Sequence, residues 1–243
     1  MNDAQQRLVC AFGDLDSGLA GLAWDLGDPG ALLLREGKVE RASFALEESG
    51  DAATIVLSAE DTAAEATFAP RDAHLPLADP AGGAGDVTVT VGTAELRAAA
   101  GNATRQTEGM IARWRGDPLG GAKTFRFMAI ELGGGGLLVA TARGDPRAAG
   151  HGEERTLGWL LSGEEVSSFE EALISTQYDG EGTPTRLGLE LWPEDADQTS
   201  RAAATRVVGS ALGGARSNGS WAGLFRCHTD GIEGLGTYLL WRA

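Results

Sequence analysis

Hydrophobic and polar residues alternate with period two along much of the chain. In Val87-Thr88-Val89-Thr90-Val91 the branched apolar residues fall on one face and the hydroxyls on the other, the pattern of a strand with one face buried. Comparable short runs cover 125–132, 165–178, 185–192, 221–228 and 235–241, set off by Gly, Pro, Asp or Asn, the residues that turn a chain. Along the sequence there are about sixteen such segments, at the spacing of roughly 8 to 12 residues expected of an all-β sandwich or barrel. Two segments, 94–100 and 201–206, are candidates for short helical turns, but neither has a cap followed by several periodic turns. The predicted class is all-β.

Composition sharpens this reading. Glycine supplies 36 of the 243 residues, about twice its usual share of ~7%, which implies many tight turns. A formal net charge of -15 repels phosphate backbones, and no basic stripe with interleaved aromatics offsets it, so nucleic acid is not an expected partner. No apolar stretch approaches the ~18 residues of a membrane-crossing helix, so no transmembrane segment is expected. The first residues lack the basic cluster and apolar core of a secretory signal, and the expected location is cytoplasmic. Cys10 and Cys227 have neither metal-ligand spacing nor a disulfide framework and read as buried hydrophobes. The glycine run 133–136 lacks the Lys-Ser/Thr ending of a phosphate loop, and no nucleophile elbow or zinc-protease motif occurs. No cofactor and no metal are expected.

The second half repeats the first at an offset of about 117 to 127 residues. Gly27-Asp28-Pro29 recurs as Gly144-Asp145-Pro146, and Gly37, Val39 and Phe44 as Gly163, Val166 and Phe169. Pro70-Arg71-Asp72-Ala73 matches Pro193-Glu194-Asp195-Ala196, and Val91-Gly92-Thr93-Ala94 matches Val208-Gly209-Ser210-Ala211. At the ends, Glu108-Gly109 and Trp114-Arg115 match Glu233-Gly234 and Trp241-Arg242. The turn-rich stretch 116–121 then divides the chain into 1–118 and 119–243, each long enough to close one small antiparallel barrel. Closure removes the open edges that would otherwise pair with other chains; two sandwiches are the alternative.

The repeated halves, with Gly158-Trp159-Leu160-Leu161-Ser162-Gly163, Tyr178-Asp179-Gly180 and Asp230-Gly231-Ile232-Glu233-Gly234-Leu235-Gly236, resemble the two-barrel, lipocalin-like family. That family includes carotenoid 1,2-hydratase (hydroxyneurosporene synthase) and many actinobacterial proteins. The resemblance implies two tandem, duplicated lipocalin-like antiparallel β-barrels. It also implies acid–base chemistry on isoprenoid or polyketide-like substrates without a redox cofactor. Family members often carry an Asp-His-Ser-Trp-Gly-like motif between the halves; here 116–125 contains neither histidine nor tryptophan, so no catalytic residue is carried over.

Candidate chemistry therefore comes from the residues themselves. Asp230-Gly231 between two strand-like runs reads as a two-residue primed turn, which pairs Thr229 with Ile232, His228 with Glu233, and Arg226 with Leu235. On the face of His228 and Glu233 lie Leu224, Arg226, Leu235, Thr237, Leu239 and Trp241; Phe225, Cys227, Tyr238, Leu240 and Arg242 take the other. A carboxylate beside an imidazole orients it for proton transfer, which makes His228 and Glu233 the candidate catalytic pair, with a solvated ion pair as the competing reading. The first face is expected to line a cavity. Trp114 and Trp241 are expected to plug the closing strands. Trp24, Trp159, Trp192 and Trp221 are candidates for an apolar, cation-stabilising wall. Together these give Trp24, Trp159, Trp221, Arg226, Tyr238 and Trp241 as candidate substrate-binding residues. Asp14, Asp16, Asp25 and Glu131 are candidates for a buried acid, none preferred. His151, in a segment that the first half lacks, and His74, in the proline-rich 70–80 stretch, read as surface loops.

The functional expectation is an enzyme that isomerises, cyclises or hydrates a hydrophobic small molecule without a cofactor. A non-catalytic carrier of a hydrophobic metabolite and a structural module are the alternatives. An inward ionisable group in an apolar cavity separates the enzyme from the carrier, and filled barrels favour the module.

Overall fold

Period-two alternation commits a chain to strands when a sheet can bury one of the two faces. The computed structural model describes residues 7–26, 29–49, 52–60, 63–77, 87–98, 104–115, 117, 119, 121–132, 136–144, 154–163, 165–169, 171–192, 199–212 and 219–243, with side chains described except at 70–77 and 98. The chain divides into two compact units, Met1–Asp117 and Pro118–Ala243. The first holds β1 (Arg7–Asp14), β2 (Leu19–Asp25), β3 (Gly30–Arg35), β4 (Lys38–Ser49), β5 (Ala52–Ser58), β6 (Ala63–Leu77), β7 (Val87–Ala98) and β8 (Thr104–Trp114). The second holds β9 (Thr124–Leu132), β10 (Gly136–Gly144), β11 (Arg155–Ser162), β12 (Glu165–Phe169), β13 (Glu171–Tyr178), β14 (Pro184–Trp192), β15 (Ser200–Ala211), β16 (Trp221–Thr229) and β17 (Ile232–Arg242). Among the described residues no helix is long and apolar enough to cross a membrane.

In the first unit the strands pair in chain order and β8 returns to β1, closing an antiparallel barrel. In the second, the order is β12-β11-β10-β9-β17-β16-β15-β14-β13. The barrel is nearly closed, with only position 170 between its edge strands in the sequence. The long β4 shows how such a sheet turns its corner: Lys38 to Ala42 pair with β3, and Ser43 to Ser49 pair with β5. β12 and β13 divide the same two tasks, pairing with β11 and β14. The protein is all-β, built of tandem lipocalin-like barrels.

Several local expectations are corrected. The segments 94–100 and 201–206 are not helical turns; their described parts belong to β7 and β15. Ala94 and Leu96 are buried between exposed neighbours, as are Ala202 and Ala204. A helix preference of a few tenths of a kcal/mol per residue is outweighed by that one-sided burial. The 70–80 stretch is not a loop as far as Leu77, because it continues β6 and pairs His74 with Thr90 across a register shift. The match of Glu108 with Glu233 also shifts. Trp114 faces Arg7 and Gly109 faces Phe12, whereas Trp241 faces Phe125 and Gly236 faces Ile130. Gly109 therefore corresponds to Gly236, and Glu108 to Leu235.

Each barrel interior takes alternate residues from every strand. The first is filled by Cys10, Phe12, Leu33, Ile55, Leu57, Phe68, Leu96 and Ile111 among others, with Thr90 and Arg113 also on its inner face. The second takes Met128, Ile130, Ile174, Leu189, Phe225, Tyr238 and their neighbours.

Candidate functional site

The hairpin of β16 and β17 sets the register of the candidate residues. Asp230 and Gly231 both have positive φ, 47° and 81°, as a primed two-residue turn requires. Thr229 pairs with Ile232, His228 with Glu233, and Arg226 with Leu235. His228 Nδ1 lies 3.5 Å from Glu233 Oε1, and Arg226 Nη1 donates to Glu233 Oε2 at 3.0 Å. Their side chains stand at the tip, His228 52% and Glu233 56% exposed.

From this tip the same face runs back over the sheet. One row crosses five strands as Trp159, Val139, Ala129, Thr237 and Leu224. The row on the tip side contains Leu161, Leu137 and Glu131. The row on the far side contains Leu157, Thr141, Phe127, Leu239 and Ala222. This is the outer face, since the barrel core takes the intervening Met128, Ile130, Leu138 and Ala140. An outer barrel face normally alternates into solvent, yet on β9 every residue from Thr124 to Glu131 is buried. The face of His228 and Glu233 is thus the one turned away from the barrel interior.

Among these apolar side chains sit a few buried polar groups. Glu131 is 8% exposed and Thr237 2%. Thr237 faces Ala129, so Glu131 lies diagonally across the pair, with Cα atoms roughly 7 to 8 Å apart. The Thr237 hydroxyl has no hydrogen-bond partner among the described residues. Gly234 lets β17 approach the end of β9, because a Cβ there would stand 1.8 Å from the Glu131 carbonyl oxygen. A carboxyl group beside a hydroxyl on an apolar wall can take a proton from, or give one to, a bound molecule that water does not compete for.

The barrel interior holds a second polar group, built differently. Arg126, at the start of β9, points inward and donates from Nη1 to the Ile174 carbonyl at 2.6 Å. Its Nη2 pairs with Glu154, and Thr176 Oγ1 lies 3.4 Å from the Tyr238 hydroxyl. Burial pushes the Tyr238 phenol up, against a smaller lowering by the Arg126 charge, and holds it protonated. Trp221, Phe225 and Tyr238 pack edge-on and tilted, with ring centroids 5.7 to 6.3 Å apart. Trp221 lies over the paired glycines of β15 and β16, where a Cβ on Gly209 or Gly223 would stand 1.7 or 2.1 Å from the indole. With both terminal nitrogens of Arg126 and the Tyr238 hydroxyl engaged, this network is a brace across the barrel. Cys10 and Cys227 are buried, and desolvation pushes both thiols up to about 12, so neither supplies a thiolate at neutral pH.

Within the second unit the candidate binding residues fall on two opposite faces. Trp159, Arg226 and Trp241 share the outer face with His228 and Glu233, whereas Trp221 and Tyr238 alternate with them and point inward. Trp24 belongs to the other unit, packed over Gly30. The four-tryptophan wall therefore does not form. Nor do Trp114 and Trp241 plug their barrels: the interior residue on β8 is Ile111, which puts Trp114 on the outer face, and Trp241 likewise alternates with the inward Leu240. Of the four carboxylates, Asp14 and Asp16 are exposed and Asp25 half-buried, leaving Glu131 buried. Its position was readable, since Phe125, Phe127 and Ala129 precede it at period two. His151 lies outside the described residues, as does the side chain of His74.

No protein-family model matches the chain, and no curated protein sequence does. Solved structures do match. A Nitrosomonas europaea protein provisionally named AttH superposes with a TM-score of 0.68 at 11% identity, covering 99% of this chain and 93% of that one. Kievitone hydratase from Nectria haematococca gives 0.63 at 10%, covering 98% and 89%. CghA with Sch210972 gives 0.58 at 12%, covering 98% and 88%. The chain has the two-barrel, lipocalin-like fold of these proteins.

Proposed function

We propose that the protein binds a hydrophobic small molecule against the outer face of its second unit and isomerises, cyclises or hydrates it by acid–base chemistry. The observation that carries this reading is Glu131, a carboxyl group buried on a mostly apolar face that includes Trp159, Val139, Ala129, Phe127, Leu239 and Leu224. A carboxyl group is costly to hold out of water on an apolar face, and buried acids in water-poor surroundings are characteristic of proton-transfer sites. The fold neighbours lend support in kind: one is by name a hydratase, and another, CghA, was crystallised with Sch210972. From the family resemblance the proposal takes an isoprenoid or polyketide-like substrate, a reaction without a redox cofactor, and a cytoplasmic setting.

Native mass spectrometry of the protein purified from its own host, followed by extraction and identification of the guest, tests the binding. Turnover of that guest tests the chemistry. Glu131→Gln is expected to lower it by a factor of about 100 or more while binding persists. His228→Ala and Glu233→Gln ask whether the tip pair takes part. Unchanged turnover in Glu131→Gln removes Glu131 from the chemistry, and a guest recovered unaltered from wild type identifies a carrier.

A further inference from the structure

We infer that the end of the second barrel at which β9 starts and β17 finishes is a binding site for an oxyanion, the phosphate or carboxylate of a small molecule, gripped by Arg242. This site is separate from the outer face proposed above and does not depend on it. The strands of this unit run up and down, so one end of the barrel gathers the starts of β9, β11, β14 and β16 and the finishes of β10, β13, β15 and β17. Among the described residues that end carries Lys123, Arg126, Arg143, Arg155, Arg206 and Arg242 against Glu154, Asp179 and Glu181. The opposite end carries Glu131, Glu165, Glu171, Glu190, Asp230 and Glu233 against Arg201 and Arg226. In a chain of net charge -15, a barrel end with cations in excess is a local reversal of sign, and it draws anions toward itself.

Arg242 stands on the inner face of this end. It faces Thr124 across β9 and alternates with the inward Tyr238 and Leu240, which sets it diagonal to Arg126, with Cα atoms roughly 7 to 8 Å apart. Arg126 is engaged, pairing with Glu154 and donating to the Ile174 carbonyl, and Arg206 reaches Asp179. The Arg242 guanidinium makes no ion pair and no hydrogen bond among the described residues, and its Nε is buried without an acceptor; the Arg242 backbone alone is tied down, by the Ser220 hydroxyl. Two neighbouring guanidinium groups and one paired carboxylate leave a positive charge uncompensated. Arg242 is partly exposed, so a ligand reaches it from solvent. Gly219 packs against its Nη1, where a Cβ would stand 2.6 Å away, and this close approach fixes the fork at the rim. A planar guanidinium fork held in place matches two oxygens of a phosphate or carboxylate.

The test titrates phenyl phosphate, benzoate and benzyl alcohol calorimetrically into the full-length protein at low salt. At least one of the two anions is expected to bind wild type, more tightly than the alcohol, and to weaken as salt is raised. Arg242→Gln is expected to weaken that anion about tenfold or more, the worth of hydrogen bonds to a charged group, while the melting temperature without ligand holds. Arg242→Lys, which keeps the charge and loses the fork, is expected to fall between the two, and it carries the test if the glutamine variant does not fold. Arg201→Gln, at the opposite end of the barrel, leaves the affinity unchanged. Tighter phenyl phosphate assigns a phosphate-bearing ligand, and tighter benzoate a carboxylate-bearing one. Anions that bind wild type no better than the alcohol, or an anion affinity that survives unchanged in the Arg242 variants, overturn the inference and leave the outer-face reading untouched.

Discussion

The two units use one strand plan and spend their polar residues differently. In the first, the row on the outer face corresponding to Thr237 reads Leu32, Leu22, Ala11, Met110 and Val91, with no polar atom on any side chain. In the second, the same row reads Trp159, Val139, Ala129, Thr237 and Leu224. Met110 and Thr237 both face the central alanine, and of the four positions at which the rows differ, the exchanges of Leu32 for Trp159 and of Met110 for Thr237 bring in a polar atom. The inner faces differ too. Leu8 pairs with Arg113 in the first barrel and Arg126 with Leu240 in the second, the same cross-strand couple with its members reversed. Arg113 reaches Glu48, which is half-exposed, at 2.5 Å, whereas Arg126 and Glu154 are both largely buried. A shared backbone thus leaves the placement of buried charge to a handful of side chains.

The largest expected effect is at the aromatic brace. Trp221→Ala empties the space over Gly209 and Gly223 and should cost about 3 to 5 kcal/mol in denaturant unfolding. A cost below ~1 kcal/mol would mean that the indole does not support the second barrel. Next comes the reversed couple. Arg126→Leu, which gives the second barrel the first barrel's residue, strands the Glu154 carboxylate and should also cost about 3 kcal/mol or more, with a large part recovered on adding Glu154→Leu. Arg113→Leu in the first barrel should cost less than ~1 kcal/mol, because Glu48 can turn to water. Equal costs at the two sites would erase the contrast.

A smaller effect tests the outer rows. Thr237→Val replaces an unpartnered hydroxyl by a methyl and should leave stability unchanged or raise it by up to ~1 kcal/mol. Met110→Thr, the reverse exchange, buries a hydroxyl and removes volume, and should cost about 1 to 3 kcal/mol. Smallest is the behaviour of the thiols. Cys10 and Cys227 should resist a thiol reagent at pH 8 in the folded protein and react once it is unfolded. Their folded pKa is raised from 9.0 to about 12. Their contribution is therefore complete below pH 9 and declines as pH rises toward 12, because the unfolded chain ionises first. Rapid labelling of the folded protein at pH 8 would contradict their burial.

Much of this was legible in the residues. Asp230-Gly231 announced its turn and, through it, the pairing of His228 with Glu233, because a two-residue loop leaves only one register. The period-two runs announced strands, and the alternation in 125–132 separates Phe125, Phe127, Ala129 and Glu131 from Arg126, Met128 and Ile130. Local alternation does not say which of two apolar faces a closing sheet turns inward, because closure and twist belong to the whole barrel. For that reason the residues fix only that Tyr238 and Trp241 take opposite faces, and closure decides that Tyr238 points inward. Near-continuous apolar runs such as Leu137 to Ala140 are the signature of strands buried on both sides, and they mark the outer face as covered. The alanine-rich end of β7 misled for a related reason: a residue's own preference is small beside the burial that its neighbours impose.

The central claim is that the second unit's outer face receives the substrate. The most direct measurement is a crystal structure of the protein with its co-purified guest. The account predicts density lying against Trp159 and Ala129, with a carbon facing the Glu131 carboxyl group. Density inside the barrel against Trp221 and Tyr238, with the outer face unchanged, would contradict it.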